Sequence, residues 1–532
     1  MPETAIQPLT EIPRSFTGKL SQNILASLVR VFVVALVALV LPAFLTHHLP
    51  VATYAAWVLI IQLGAYVSYL DLGIQTGVSK FVAEFDARGD IAGAGRHASA
   101  GLALMFFAGF LGVLLTCGLA WQVPRLFRGM PGNLYPDVRV SVLLIGASLS
   151  FGLVCAVYSA VFLGLQRYWI PMSITIINRI SYAAIVIAIV ALRGSLEAMG
   201  IAVAAVNVLT GLLQVLAWRE KASHVCVSLR AVDSRVLKNV TRFCSLQSAW
   251  MMAMLCITGL DITIVGHYDY PQTAYYSIAT LPVAFVLMIM SAMLNPLMPA
   301  SSALSTHRSP IEMGELVAKV TRYSTLILLL TGLPLIVFGY PILRLWVGEQ
   351  YALHTLPYLR ILVFANLVRN LCAPYVTMIV ATDRQSAAIT AAVSEAVVNL
   401  GSSIYLASRF GAVGVALGTV MGAFVSIALH FGITMRFTHR TIAISRFRLF
   451  ASGVLRPGII AVPSLVMLPL CWSSGQAVRA PMMLVWCIST VFSAWYGGLT
   501  VSDRSEAIRI CRNTVLEPLN LLANANPARR TI

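Results

Sequence analysis

Three arginines stand inside apolar runs of this 532-residue chain: Arg30 ahead of VFVVALVALVLPAFL, Arg179 in ITIINRISYAAIVIAIV, and Arg369 in FANLVRNLCAPYV. A guanidinium is always charged, and its planar fork takes phosphate oxygens in pairs. Asn366 and Asn370 flank Arg369, and Pro374 follows them. A polar, proline-broken helix is tolerated in a bilayer only where it lines protein or water. A second set carries oxygen instead of charge-bearing nitrogen. Asp261 lies in CITGLDITIVG, and Glu395 and Asn399 lie four residues apart in SEAVVNLG, on one helical face. Carboxylates and an amide on two helices are donors for Na+ or a shared proton. Ionisable groups at membrane depth are costly and tend to be functional. Each has a plainer reading: Arg30 snorkels to headgroups, Arg179 forms a buried structural pair, Arg369 bonds between helices, and Asp261 or Glu395 neutralises Arg179 or Arg369.

These side chains need membrane helices to hold them. The chain is 58% hydrophobic and 11% charged, with a mean hydropathy of +0.83, whereas soluble proteins carry about 25% charged residues. The expected fold is an all-α polytopic membrane protein. A net charge of +17 suits loops facing anionic lipid rather than nucleic acid. The nine cysteines are scattered without a CxxC pair, so no disulfide framework is implied.

Runs of about 20 apolar residues fall near 22–45, 53–77, 98–121, 139–164, 171–192, 197–218, 241–266, 274–298, 321–343, 357–381, 386–408, 411–435, 451–472 and 480–500. That is about fourteen spans. With the N-terminus inside, roughly 26 Lys and Arg fall on the inner side and roughly 8 on the outer. Both termini are expected in the cytoplasm, and the polar start, without an apolar h-region, reads as a retained tail. The stretch LDLGIQTGVSKFVAEFDARGD (Leu70 to Asp90) ends the second span. Gly73 and Gly77 loosen its end; Lys80, Glu84 and Arg88 line one face beyond it, and Phe81, Val82 and Phe85 the other. This predicts a short interfacial helix, with Asp71 as a helix-end acid. Trp57, Tyr66 and Tyr69 recur along the same span and suit an interface belt or sugar stacking. His47 and His267 are expected at the outer surface.

The chain repeats itself. LQRYWIPMSITIINR follows the fourth span and TDRQSAAITAAVSEA the tenth, with Arg167 opposite Arg384 and Asn178 opposite Glu395. AMGIA matches AVGVA, and Tyr54 matches Tyr275. The expected organisation is a tail (1–21), a six-helix bundle (22–218), a basic linker (219–240), a second bundle in the same orientation (241–435), a basic loop (436–450), two further spans (451–500) and a tail (501–532). Parallel repeats with a site between them are a transporter arrangement.

Fourteen spans in 6+6+2 order, with LDLGIQTGVSKFVAE after LPVATYAAWVLIIQLGAYVSYLDLG, resemble the polysaccharide transporter branch of the multidrug/oligosaccharidyl-lipid/polysaccharide exporter superfamily, the Wzx-type oligosaccharide-lipid flippases. The resemblance covers about residues 20–500; Thr53 stands where the family usually has Gly. It implies a MATE-like fold in the bacterial inner (plasma) membrane. It also implies movement of an undecaprenyl-diphosphate-linked oligosaccharide to the outer leaflet for O-antigen, capsule or exopolysaccharide synthesis. Arg30, Arg179, Arg369, Asn366 and Asn370 would then bind the diphosphate-linked headgroup. Asp261, Glu395 and Asn399 would couple transport to Na+ or H+, as similar acids and amides do on the seventh and eleventh helices of the superfamily's lipid II flippases. The expected partners are the lipid-linked substrate, the bilayer, a polysaccharide polymerase and other glycan-assembly proteins, with no nucleic acid and no cofactor beyond the coupling ion. No HExxH, P-loop or nucleophile elbow appears, so the chain is not expected to be an enzyme. The alternatives are a cation-coupled multidrug antiporter of the same superfamily and a membrane glycan polymerase or ligase. The short outer loops, 122–138 and 344–356, argue against the last.

Overall fold

The computed structural model describes residues 14–305, 308–382, 384–473 and 476–511. Among them there are helices and no strands. Among the described residues, twelve helices are long and apolar enough to cross a membrane by length and composition, beginning with Val29–His48 and ending with Ala412–Phe437, each matching one sequence run. A helix pair bent by 43°, Arg446–Gly458 and Ala461–Met467, passes the same test when taken together and brings the number to thirteen if the pair is one span. The helix Gln476–Ser493 lies where the fourteenth was read, so the protein is an all-α multi-pass membrane protein. The expected terminal tails lie mostly outside the described residues.

The chain divides into two compact units. One takes the chain up to Leu281 with Leu343–Tyr358 and Glu395–Thr419; the other takes Pro282–Ile342, Leu359–Ser394 and the chain from Val420. In the first unit, Ile91–Leu126 buries a face rich in Gly, Ala and Ser, which lets helices approach closely where lipid supplies no hydrophobic drive. Phe106, Phe107 and Phe110 point outward from the same helix, as a helix apolar all round must when its solvent is lipid. The second unit has smaller apolar clusters around Pro310–Val337. There, the last helices join the bundle through Trp486, whose indole donates to Ser464 at 2.9 Å and meets the edge of Phe338.

The stretch after the second span is more tightly built than its sequence suggests. Tyr66–Asp71 narrows to a 3-10 turn, Leu72 and Gly73 take positive φ of 48° and 79°, and Ile74–Ala87 follows as a helix. Gly73 does not loosen the end. A Cβ there would collide with Gln247, and the helix Ser234–Met254 is latched on, with Ser248 donating to the Leu72 carbonyl at 3.2 Å. The expected apolar face also splits: Val82 enters the core, while Phe81 and Phe85 stack on the buried ring of His97.

Two devices recur 217 positions apart. The amide of Arg167 closes a helix end on the Phe162 carbonyl, and that of Arg384 does the same on Ile379, at 2.9 and 3.1 Å. This six-to-one bond satisfies carbonyls a helix end leaves open. The chain also crosses the start of a helix as a strap in each unit. Val225 and Val227 are buried on either side of Cys226, and Ile442 and Ile444 on either side of Ala443. The Cys226 carbonyl presses on Gly95, five residues after the cap Asp90; the Ala443 carbonyl presses on Gly314, five after the cap Ser309. Ser228 and Ser445 then cap the next turn.

Candidate functional site

Asp261 is the most developed polar position inside a span. The seventh span, Gln247–Tyr268, is interrupted by a π-helical turn, Leu255–Gly259, and Asp261 opens the helix that resumes, Asp261–Tyr268. Gly259 is a weak helix former, and π turns of this kind gather at functional sites. The carboxylate is buried at 6% exposure. Its Oδ2 lies 3.5 Å from the hydroxyls of Tyr276 and Thr419. Thr419 is on Ala412–Leu429, and its neighbour Gly418 abuts Ser403. The Ser403 hydroxyl lies 3.4 Å from Asn399 Oδ1, one turn from Glu395. Glu395 and Asn399 are buried at 4% and 0%. The structure thus links Asp261, through Thr419 and Ser403, to the face that carries the other two predicted residues.

The donor set is carboxylate, hydroxyl and amide, all hard oxygen ligands that suit a hard cation or a proton. The Asn399 amide nitrogen is buried without a hydrogen-bond partner. Since Ser403 can donate or accept, the amide can turn and present its oxygen instead. Among the described residues no group of three His, Cys, Asp or Glu side chains could hold a metal ion, so a transition-metal centre has no support there.

The predicted anion-binding residues fall in both units. Arg30 and Arg179 belong to the first, on helices that pack against each other, Arg14–His48 and Trp169–Ala191. The helix carrying Arg30 begins at Arg14, about four turns earlier, and the Arg30 Nε is buried without a hydrogen-bond partner. Arg179 is exposed and pairs with no acid among the described residues, so it does not form a buried pair with an acid there. Its neighbour Asn178 turns away to donate to Thr210 at 2.8 Å. In the second unit, Asn366 and Asn370 donate to carbonyls one turn back on their own helix, Leu362 and Asn366, both at 2.9 Å. That uses one of the two N–H donors of each amide within the helix. The helix ends at Asn370 and restarts at Ala373 with Pro374 in its first turn, so the proline break is where the sequence put it.

Trp57 and Tyr66 are buried at 3% and 8%, so neither forms an interface belt or offers a face to sugar. His47 and His267 are exposed. Thr419 and Tyr276 were missed by sequence reasoning, and little could have flagged them: a lone threonine in an apolar helix ordinarily bonds to its own backbone, as Thr419 also does to Val415.

Similar folds occur among solved structures. The lipid II flippase MurJ in an inward closed conformation superposes with a TM-score of 0.69 at 13% identity, over 88% of this chain and 98% of that one. An inward-facing multidrug resistance MATE transporter of the MOP superfamily gives 0.58 at 18% identity, over 76% and 98%. A transporter of the superfamily from Pyrococcus furiosus gives 0.57 at 16% identity, over 79% and 96%. No family model and no curated protein sequence matches the chain.

Proposed function

We propose that the protein is a flippase that carries an undecaprenyl-diphosphate-linked oligosaccharide from the inner to the outer leaflet of a bacterial plasma membrane by alternating access. The observation that carries this reading is Arg179, an exposed guanidinium within a membrane-spanning helix, with no acid to neutralise it among the described residues. A charge kept at that depth without a protein counter-ion calls for an anionic cargo, and a diphosphate is matched by the guanidinium fork. Arg30 on the adjacent helix and Arg369 with Asn366 and Asn370 extend the same polarity. The likeness to a lipid II flippase supports a lipid-linked cargo. Asp261, Glu395 and Asn399, with Thr419, are the proposed cation site that drives the cycle, and both termini are placed in the cytoplasm.

The test is a deletion in the native host, complemented with the wild type, Arg179→Ala or Arg369→Ala. Polyprenyl-linked glycans are extracted and assigned to a leaflet. Deletion should trap a complete oligosaccharide-lipid on the inner face. Each variant should insert normally yet lower surface glycan by roughly tenfold or more, the scale of losing charge-assisted hydrogen bonds. Normal surface glycan from both variants would remove the anion-binding assignment. Unchanged glycan lipids with altered drug susceptibility would favour the antiporter, and accumulation on the outer face a polymerase or ligase.

A further inference from the structure

Two side chains of the second span grip the seventh span on either side of Asp261. Gln62 Nε2 donates to the Gly259 carbonyl at 2.6 Å. The Tyr66 hydroxyl is hydrogen-bonded to the Thr263 hydroxyl. Gly259 and Thr263 lie two residues before and two after Asp261, and Gln62 and Tyr66 are one helical turn apart. The grip falls at the π turn, where the regular ladder of the helix is broken and its carbonyls need outside donors. A helix interrupted in this way needs outside contacts on both sides of the break to fix the direction of the part that resumes. Here the fixing groups come from a span nearly 200 positions earlier in the chain.

We infer that Gln62 and Tyr66 are positioning residues for a Na+ site at Asp261, holding the carboxylate toward Thr419 and tying the second span to cation occupancy. This rests on the cation-coupled reading above. Neither residue is a ligand. Gln62 fixes the carbonyl that ends the π turn, and Tyr66 fixes the first turn of the helix that Asp261 opens. When either bond is lost, that turn relaxes and Asp261 no longer keeps its place beside Thr419 and Tyr276. The cation then meets a site that must be reassembled at each binding event, so affinity falls while the ligands themselves stay intact. Conversely, Na+ bound at Asp261 stiffens the seventh span and with it the grip on the second, so the cation reports to the part of the chain that leads into the latch at Gly73.

The test uses the full-length protein in lipid nanodiscs and NaCl titrations at constant ionic strength with choline chloride, read by the thermal unfolding midpoint. The wild type should be stabilised by Na+, and Asp261→Asn should abolish that response. Tyr66→Phe and Gln62→Leu should shift the Na+ midpoint to on the order of tenfold higher concentration, the scale for losing groups that orient ligands. Their unfolding in choline alone should change far less. Thr263→Val should match Tyr66→Phe, and the double variant should be no worse than either single, because both remove one bond. Wild-type Na+ midpoints in Tyr66→Phe, Gln62→Leu and Thr263→Val would overturn the positioning role while leaving the cation site standing. A wild type indifferent to Na+ would overturn the site and this inference together, without touching the glycan-lipid result for Arg179→Ala. Should Gln62→Leu fail to insert, Tyr66→Phe and Thr263→Val, each a small change in a hydroxyl partner, decide the matter.

Discussion

The two straps, Val225–Ser228 and Ile442–Ser445, share a backbone device and differ in what locks it. In the first unit the lock is packing and short polar bonds. Val225 and Val227 join a large apolar cluster, the Ser228 amide donates to Ser99 at 3.0 Å, and the Trp218 indole donates to Val225 at 3.2 Å. In the second unit charge is added. Arg448 on the turn after the strap pairs with Glu315. The helix Val501–Cys511 then fastens onto Pro310–Val337: Arg322 Nη2 reaches Asp503 Oδ1 at 3.1 Å and Nε lies 2.9 Å from Oδ2, the Tyr323 hydroxyl donates at 3.0 Å, and Lys319 pairs with Glu506. The second unit thus holds its last helices with an ionic clasp that, among the described residues, has no counterpart on the first unit's strap. Around these last helices the apolar clusters are smaller than that of the first unit's strap, and directional charge pairs add to the register that packing sets.

The sharpest way to break this contrast is Arg322→Ala. It leaves Asp503, 3% exposed, as a buried charge without its cation. Removing one partner of such a pair costs about 3–5 kcal/mol, and hydrogen exchange in Val501–Cys511 should rise steeply while the Val225–Ser228 segment is unchanged. Equal protection in wild type and variant would show the clasp to be incidental.

A smaller effect is expected from acid. Burial alone raises the Asp503 carboxyl, but the Thr500 hydroxyl and amide, the Tyr323 hydroxyl and Arg322 together outweigh it and hold the group below the usual carboxylate range. A depressed carboxyl adds stability above its unfolded pKa of about 3.9 and loses it as pH falls through the lowered value. Exchange in Val501–Cys511 should therefore rise progressively below about pH 4–5, ahead of the first unit's strap; simultaneous loosening of both would erase the distinction.

Next come the glycines under the straps. An added Cβ at Gly95 would stand 2.8 Å from the Cys226 carbonyl oxygen, and at Gly314 closer still to that of Ala443. Gly95→Ala and Gly314→Ala should each cost about 1–3 kcal/mol, with Gly314→Ala the worse. The reverse order in unfolding midpoints would mean the second strap shifts more easily than the first. The smallest change is Arg448→Ala. Both members of its pair are more than half exposed, so the loss should stay within about 1 kcal/mol; a larger loss would make that pair part of the clasp.

Much of the fold was legible in the sequence because hydropathy is a local property. A helix in lipid must satisfy its backbone within itself, so each apolar run could be read without knowing its neighbours, and the first thirteen runs each have a structural counterpart. The proline break after Asn370 was legible for the same reason. The face of Ile74–Ala87 was read less well: its periodicity was right, but Val82, Phe81 and Phe85 part company only because His97 and the bundle core are there to receive them. In the candidate site, Asp261, Glu395 and Asn399 could be flagged one by one, since a polar group in an apolar run is conspicuous. Thr419, Tyr276 and Gln62 could not, and Tyr66 stood out only as a belt or stacking aromatic, because threonine, tyrosine and glutamine in a span look alike whether they serve their own helix or another.

The sequence by itself determined that the chain crosses a membrane many times, about where each crossing starts and stops, and which charged residues must be accounted for at depth. Only the tertiary structure decided which of those residues meet. Gln62 and Gly259 are 197 positions apart and Thr419 and Asp261 are 158 apart; nothing in either local pattern encodes the rotation of one helix against another. That rotation is set by the packing of whole faces, and the polar contacts that could do chemistry are fixed by it.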